Sequence, residues 1–285
     1  MTAIKLDGEA VASRIKDELR EAISGVVARR GTPPGLATLL VGDDGPSHRY
    51  VSMKHADAAE LGIATFDERL PADTTPATIE ALIDEWNQRP DIDAVLLQYP
   101  FPDHLRYDDL LTRLDPAKDA DGLHPVNLGR LVMGVDAPVA CTPAGIVELL
   151  VAHDVPIEGR HVVIVGRGLT IGRPLANLLT LKQPQANAAV TVVHTGVPDL
   201  SPYTRQADIL VAAAGSPGLI TADMVKPGAA VVAAGVSFQG KKAVSDVAPE
   251  VAEVAGWLSP RIGGVGPMTR AMLFVNTVAA ARGNG

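Results

Sequence analysis

Apolar residues at Val11, Ile15, Leu19, Ile23, Val26 and Val27 recur every three or four positions. That spacing lines them along one face of a helix over 10–30, and the pattern stops at Gly31. A short apolar run over 36–41 is bounded by Pro34-Gly35 and Gly42, as expected of a buried strand. A helix over 47–61 ends at Gly62, a weaker strand follows over 63–69, and a second helix over 75–88 starts on an acceptable cap. The run 94–97 predicts another buried strand, ended by Gln98, Tyr99 and Pro100. Strand, helix, strand, helix, strand favours a parallel sheet with helices on its faces. A short helix is expected over 107–114, and the polar stretch 115–127, broken by Pro116, Gly122 and Pro125, reads as a loop.

A second α/β series follows. A connecting helix is expected over 142–153, a strand over 161–165, a helix over 174–181 and strands over 189–194, 209–213 and 230–234. A final helix over 267–281 follows Gly263-Gly264-Val265-Gly266-Pro267. The chain is thus expected to hold two α/β domains, with a boundary near 140–150 and the second domain Rossmann-like.

Composition narrows the function classes. The 285 residues suffice for two ordinary domains, and 47% apolar with 20% charged residues is the balance of a globular protein. A formal charge of −8 argues against broad binding to nucleic acid or acidic membranes, which want an excess of Lys and Arg. The single cysteine, Cys141, rules out an intrachain disulfide and fits a reducing compartment. Charged residues recur from Lys5 to Glu21, so no secretory leader is expected, and a cytoplasmic location follows as the default. His55, His124 and Cys141 have no partners at metal-ligand spacing, so no metal site is assigned.

The loop between 161–165 and 174–181 carries the clearest chemistry. It reads Gly166-Arg-Gly-Leu-Thr-Ile-Gly-Arg-Pro174, one residue longer between its last glycines than the usual dinucleotide fingerprint. Gly166 suits the tight turn out of the strand, Gly168 a close backbone approach to a pyrophosphate, and Gly172 a helix packed near the sheet. An NAD site usually carries Asp or Glu at the end of the next strand, to accept from the ribose 2′-OH. Here that strand runs into His194-Thr195-Gly196, which does not repel a 2′-phosphate. Arg167 and Arg173 flank the loop as candidate phosphate ligands, and the cofactor is expected to be NADP.

In the first domain, ligands should sit past the carboxyl ends of the strands. Tyr50 and Lys54 lie one helical turn apart after 36–41, and Gln98 directly follows 94–97. A lysine desolvated in a cleft can exchange a proton, although Tyr–Lys at this spacing is also an ordinary helix surface. Asp121, in Lys118-Asp119-Ala120-Asp121-Gly122, is either a turn former or a ligand.

In order along the chain stand Val41-Gly42-Asp43-Asp44, Tyr50-Val51-x-x-Lys54, Leu97-Gln98-Tyr99-Pro100, Lys118-Asp119-Ala120-Asp121-Gly122 and Cys141-Thr142-Pro143-x-Gly145. The glycine loop and Gly263-Gly264-Val265-Gly266-Pro267-Met268-Thr269 complete the set. Over nearly its whole length the chain resembles the bifunctional methylenetetrahydrofolate dehydrogenase/cyclohydrolase family. The resemblance implies a folate domain over 1–143 and 268–285, an NADP domain over 144–267, and a cleft between them. It implies hydride transfer from 5,10-methylenetetrahydrofolate to NADP⁺, then hydrolysis of the methenyl product to 10-formyltetrahydrofolate, in one-carbon metabolism and purine biosynthesis. Lys54 would be the acid/base group with Tyr50 and Gln98 beside it, and Asp121 would grip the pterin. Pro100, Gly264 and Pro267 would border the folate. Gly166, Arg167, Gly168, Gly172, Arg173, Thr195, Val236 and Thr269 would contact the cofactor. A homodimer is implied as well.

Four positions depart from the family pattern. Gly168 stands where Ser is usual, Ala233-Ala234-Gly235 lacks the usual Asp before its Gly, Ser245-Asp246-Val247 replaces Gly-Asp-Val, and Ile262 replaces Pro. Two alternatives therefore stand beside the main reading: a dehydrogenase with little cyclohydrolase activity, and a folate- or nucleotide-binding homologue with impaired catalysis.

Overall fold

The computed structural model of the chain describes residues 3–239 and 242–283. In chain order the elements are β1 (Ile4–Lys5), α1 (Gly8–Arg30), β2 (Gly35–Val41), α2 (Gly45–Leu61), β3 (Ala64–Leu70), α3 (Pro76–Gln88), β4 (Ala94–Leu97), α4 (Tyr107–Arg113), α5 (Pro125–Met133) and α6 (Cys141–Val151). They continue with β5 (His161–Val165), α7 (Gly172–Thr180), β6 (Ala189–Val193), α8 (Ser201–Thr204), β7 (Ile209–Ala212), β8 (Ala230–Ala233), β9 (Val236–Gln239), β10 (Lys242–Ser245), β11 (Trp257–Leu258) and α9 (Val265–Gly283). The chain divides into two units, one of Met1–Ser13 with Ala140–Thr269, the other of Arg14–Val139 with Arg270–Gly285.

The second of these units holds a parallel sheet in the order β3-β2-β4. β2 is central and every residue of it is buried, whereas β3 alternates between half-buried and exposed, as an edge strand with one solvated face does. α3 buries Ile79, Ile83 and Trp86, one stripe at helical spacing. Asp44 caps α2: its carboxylate accepts from Ser47 N at 2.9 Å and Ser47 Oγ at 2.5 Å. Gly62 ends the helix in the left-handed region at φ 73°.

This cap sets where the Tyr50–Lys54 face of α2 begins. Asp44→Ala is expected to remove about 1 kcal/mol of stability, measured as a lower denaturant midpoint. The Ser47 hydrogen bonds hold the Asp44 carboxyl below the usual carboxylate range. Its contribution is therefore present above the unfolded-state pKa and is lost as pH falls through the lowered folded value. The difference between parent and variant should close in acid.

The loop expected over 115–127 is only partly one. α5 occupies Pro125–Met133, with Pro125 at its first position, His124 Nδ1 accepting from Val126 N at 3.1 Å, and Gly134 ending it at φ 65°. Proline breaks helix interiors but suits the first turn, where its missing N–H has no intrahelical partner to lose.

Among the described residues, the other unit carries a six-stranded parallel sheet in the order β1-β11-β8-β7-β5-β6. From β5 the chain steps outward to β6 and then returns to the far side of β5 for β7, so the order reverses between β5 and β7. That reversal is the topological switch point where such sheets bind ligands. The division of the chain differs from the expected limits at the N-terminus. β1 pairs with β11 as the edge of this sheet, and the described residues up to Ser13 fall with the dinucleotide unit. Gly8 interlocks with the same unit: a Cβ there would lie 1.8 Å from the Gly264 carbonyl oxygen.

Candidate functional site

In the three-stranded unit the site grows from the carboxyl edge of the sheet. Gln98 N donates to Leu39 O at 2.9 Å, which continues the β2–β4 register and fixes Gln98 at that edge. α2 leaves from just past the adjacent end of β2 and brings Lys54 to it: Lys54 Nζ donates to Gln98 Oε1 at 2.9 Å. The amide is held the right way round because Gln98 Nε2 donates to Tyr99 O at 2.8 Å. Lys54 Nζ also lies over the Tyr50 ring, 4.5 Å from its centroid.

Lys54 is only 4% exposed. Its amine meets the Tyr50 ring face and the Gln98 amide oxygen. A lysine amine held at such a position has the chemistry of a general acid or base. The structure therefore brings together Tyr50, Lys54 and Gln98. Pro100 follows through a cis peptide bond after Tyr99 and is exposed.

The Asp121 loop runs beside the same strand. Ala120 N donates to Val95 O at 3.1 Å, and Asp119 bridges Val95 in parallel fashion. Tyr107 packs edge-on against Tyr99, with ring centroids 5.3 Å apart, and against Phe101 at 5.5 Å. Burial first, then the Asp121 and Asp119 carboxylates, push the Tyr107 phenol up, so it remains a neutral hydroxyl. Asp121 itself is half-buried.

In the six-stranded unit a cavity of about 640 Å³ opens at the carboxyl ends of β5, β6 and β7. Gly166, Arg167 and Gly168 line it on one side, His194 and Thr195 on another, and Ala213 and Ala214 on a third. The volume is that of a small-molecule site. Gly166 has φ 131°, and a Cβ there would lie 2.1 Å from Ala213 O. A Cβ at Gly172 would lie 2.1 Å from Gly166 O, so this glycine lets α7 close against the loop. A Cβ at Gly168 would meet nothing within 4 Å among the described residues, which leaves room for a phosphate and equally for the serine usual in the family. No side chain caps the start of α7. Open backbone at Gly168, ahead of a helix start with no side-chain cap among the described residues, suits a pyrophosphate. Gly172 and Arg173 are not among the residues lining the cavity.

Other expected contacts have different neighbours. Gly264 is required by packing, since a Cβ would lie 2.3 Å from Pro260 O, and Pro267 is buried. Thr269 Oγ1 lies 3.1 Å from Thr142 Oγ1 and donates to Val265 O at 3.2 Å. Ile262 is 72% exposed, so its departure from the family pattern disturbs no packing. The Val236 side chain lies outside the described residues.

Two carboxylates were missed from sequence. Asp199 lines the nucleotide cavity, its Oδ1 accepting from Ser201 N at 2.9 Å. It lies four residues past Thr195, beyond the strand end where an acid is normally sought. Asp246 is fully buried, and its Oδ2 accepts from Ala214 N at 2.7 Å and Gly215 N at 2.9 Å. A Cβ at Gly235 would lie 1.9 Å from that oxygen, so Gly235 and Asp246 are matched across the two segments where the family pattern is altered. Among the described residues, no group of three or more His, Cys, Asp or Glu is arranged to hold a metal ion.

The sequence matches the tetrahydrofolate dehydrogenase/cyclohydrolase catalytic domain over residues 6–121 and the NAD(P)-binding domain of the same family over 140–284. The bifunctional protein FolD of Syntrophotalea carbinolica is 52% identical over 281 residues, 99% of this chain and 97% of the relative. The crystal structure of FolD, a methylenetetrahydrofolate dehydrogenase/cyclohydrolase from Campylobacter jejuni, superposes with a TM-score of 0.94 at 39% identity, covering 99% of both chains. The Trypanosoma brucei N5,N10-methylenetetrahydrofolate dehydrogenase-cyclohydrolase, solved with NADP and an inhibitor, gives 0.93 at 37% identity over 99% of this chain and 98% of that one. With a buried lysine at one sheet edge and a glycine-lined cavity at the other, the chain belongs to the bifunctional tetrahydrofolate dehydrogenase/cyclohydrolase family, an enzyme with a catalytic domain and an NAD(P)-binding domain.

Proposed function

We propose that the enzyme oxidises 5,10-methylenetetrahydrofolate to the methenyl cation with NADP⁺ and hydrolyses that cation to 10-formyltetrahydrofolate. The observation that carries this reading is the buried Lys54 Nζ hydrogen-bonded to Gln98 Oε1 at 2.9 Å over the Tyr50 ring. NADP⁺, when bound, supplies the hydride acceptor. Lys54 takes a proton from the water attacking the methenyl carbon and returns one to the ring nitrogen as the carbon–nitrogen bond opens. Gln98 orients the amine, Tyr50 screens one side of it, and Asp121 accepts from the N–H edge of the pterin. Arg167 reads the 2′-phosphate, with Thr195 lining the same cavity. The resemblance also supports a homodimer working in the cytoplasm and feeding one-carbon units to purine synthesis.

One absorbance assay tests this. Given methylenetetrahydrofolate and either NADP⁺ or NAD⁺, the enzyme should form reduced cofactor faster with NADP⁺, and the methenyl signal should rise and then decay. A methenyl signal that decays only at the uncatalysed rate would reject the hydrolytic half. Equal rates with both cofactors would reject the NADP half.

A further inference from the structure

We propose that Asp119 is a positioning residue for folate recognition, its buried carboxylate holding the turn that presents Asp121. The proposal rests on the reading of Asp121 as the pterin ligand. Asp119 is 3% exposed. Its Oδ1 accepts from Gly122 N at 3.0 Å, and its Oδ2 accepts from His124 N at 2.7 Å and Asn127 Nδ2 at 3.0 Å. Three N–H donors thus converge on one side chain, and both oxygens are needed to receive them. Only a carboxylate has acceptor capacity on both atoms; an amide would turn its own N–H₂ toward a backbone N–H.

These bonds close on either side of Asp121. The Asp119–Gly122 bond spans it, and Gly122 takes φ 71° to make the turn. The residue before it is held twice, by Ala120 N to Val95 O at 3.1 Å and by Asn276 Nδ2 to Ala120 O at 3.0 Å. Lys118 anchors the start of the segment by donating to Trp86 O at 2.9 Å and Arg89 O at 2.8 Å. The backbone on both sides of Asp121 is therefore pinned by hydrogen bonds, and its side chain is half-buried. Preorganisation of this kind lets the carboxylate meet paired N–H donors without an ordering cost at each binding event.

The test compares Asp119→Asn and Asp121→Asn with the parent enzyme in the full-length protein. Asp119→Asn is expected to raise the folate KM about tenfold, as loss of a buried hydrogen-bond set does. Its NADP⁺ KM should stay within about twofold and its kcat at saturating folate within about threefold, because neither step uses Asp119. A merely structural role would lower the melting temperature and leave the two KM values in proportion. A folded Asp119→Asn with the parent folate KM, beside an Asp121→Asn whose KM rises, overturns the positioning role and leaves Asp121 as ligand. An Asp121→Asn with the parent folate KM overturns the ligand reading and the proposal with it. If Asp119→Asn does not fold, Asn127→Ala decides. It removes one donor of the three, should raise the folate KM about two- to threefold, and overturns the proposal if the KM does not move.

Discussion

Lys54→Met is expected to lose two to four orders of magnitude in methenyl hydrolysis, about the contribution of a positioned acid/base group, while NADP⁺ binding persists. Methionine keeps the unbranched length and apolar body of lysine, so the buried position on α2 stays filled. What disappears is the hydrogen bond to Gln98 Oε1 and the amine that the proposed mechanism uses to exchange a proton with attacking water. The residues lining the nucleotide cavity all lie between Val165 and Met224, in the other unit, so cofactor affinity should not follow the loss. Stopped-flow decay of the methenyl absorbance, with a fluorescence titration of NADP⁺ on the same sample, separates the two. Parent-like hydrolysis by the variant would remove Lys54 from the mechanism. Lys54→Arg should fail equally, because a guanidinium holds its charge at any working pH.

Arg167→Ala is expected to weaken NADP⁺ by about ten- to a hundredfold, the worth of a charge-assisted phosphate contact, and to change NAD⁺ affinity little. Among the described residues lining the cavity, Arg167 is the one Arg or Lys and Asp199 the one carboxylate. Removing the arginine leaves Asp199 to repel the 2′-phosphate, which carries close to two negative charges at neutral pH. NAD⁺ lacks that phosphate and feels neither change. The ratio of the two dissociation constants is therefore the measurement that matters. Because the contact is partly solvated, the preference of the parent enzyme should also fall with added salt. Equal losses for both cofactors would mean that Arg167 contacts the shared pyrophosphate.

Long periodic segments were legible without coordinates. β4 and β5 run over the residues expected of them, 94–97 and 161–165, and α3 begins one residue after its expected start. These elements have four or more apolar positions in a row or a full amphipathic stripe, and their identity comes from local spacing. β1 and β11, of two residues each, were not legible: pairing with a distant partner makes them strands. α5 was missed because Pro125 was weighed as a breaker when its place at a helix start makes it an initiator. Lys54, Gln98 and Asp121 stood out as candidates by position and took roles through the family resemblance, whereas Asp119 and Asp246 took none. Nothing local marks a carboxylate as buried with converging donors: the donors of Asp246 are Ala214 and Gly215, more than thirty positions away.

By itself the sequence determined the class of the protein: two α/β units, a glycine loop between strand and helix, and a lysine one turn from a tyrosine after a buried strand. Each is a short-range pattern, dictated by side-chain period and by the backbone freedom of glycine. Only the tertiary structure decided that Ile4–Lys5 joins the dinucleotide sheet, that Lys54 reaches Gln98 across 44 positions of chain, and that an acid, Asp199, lines the same cavity as Arg167. These depend on which distant segments become neighbours. Strand pairing and packing set that for the whole chain at once, and no window of sequence contains it.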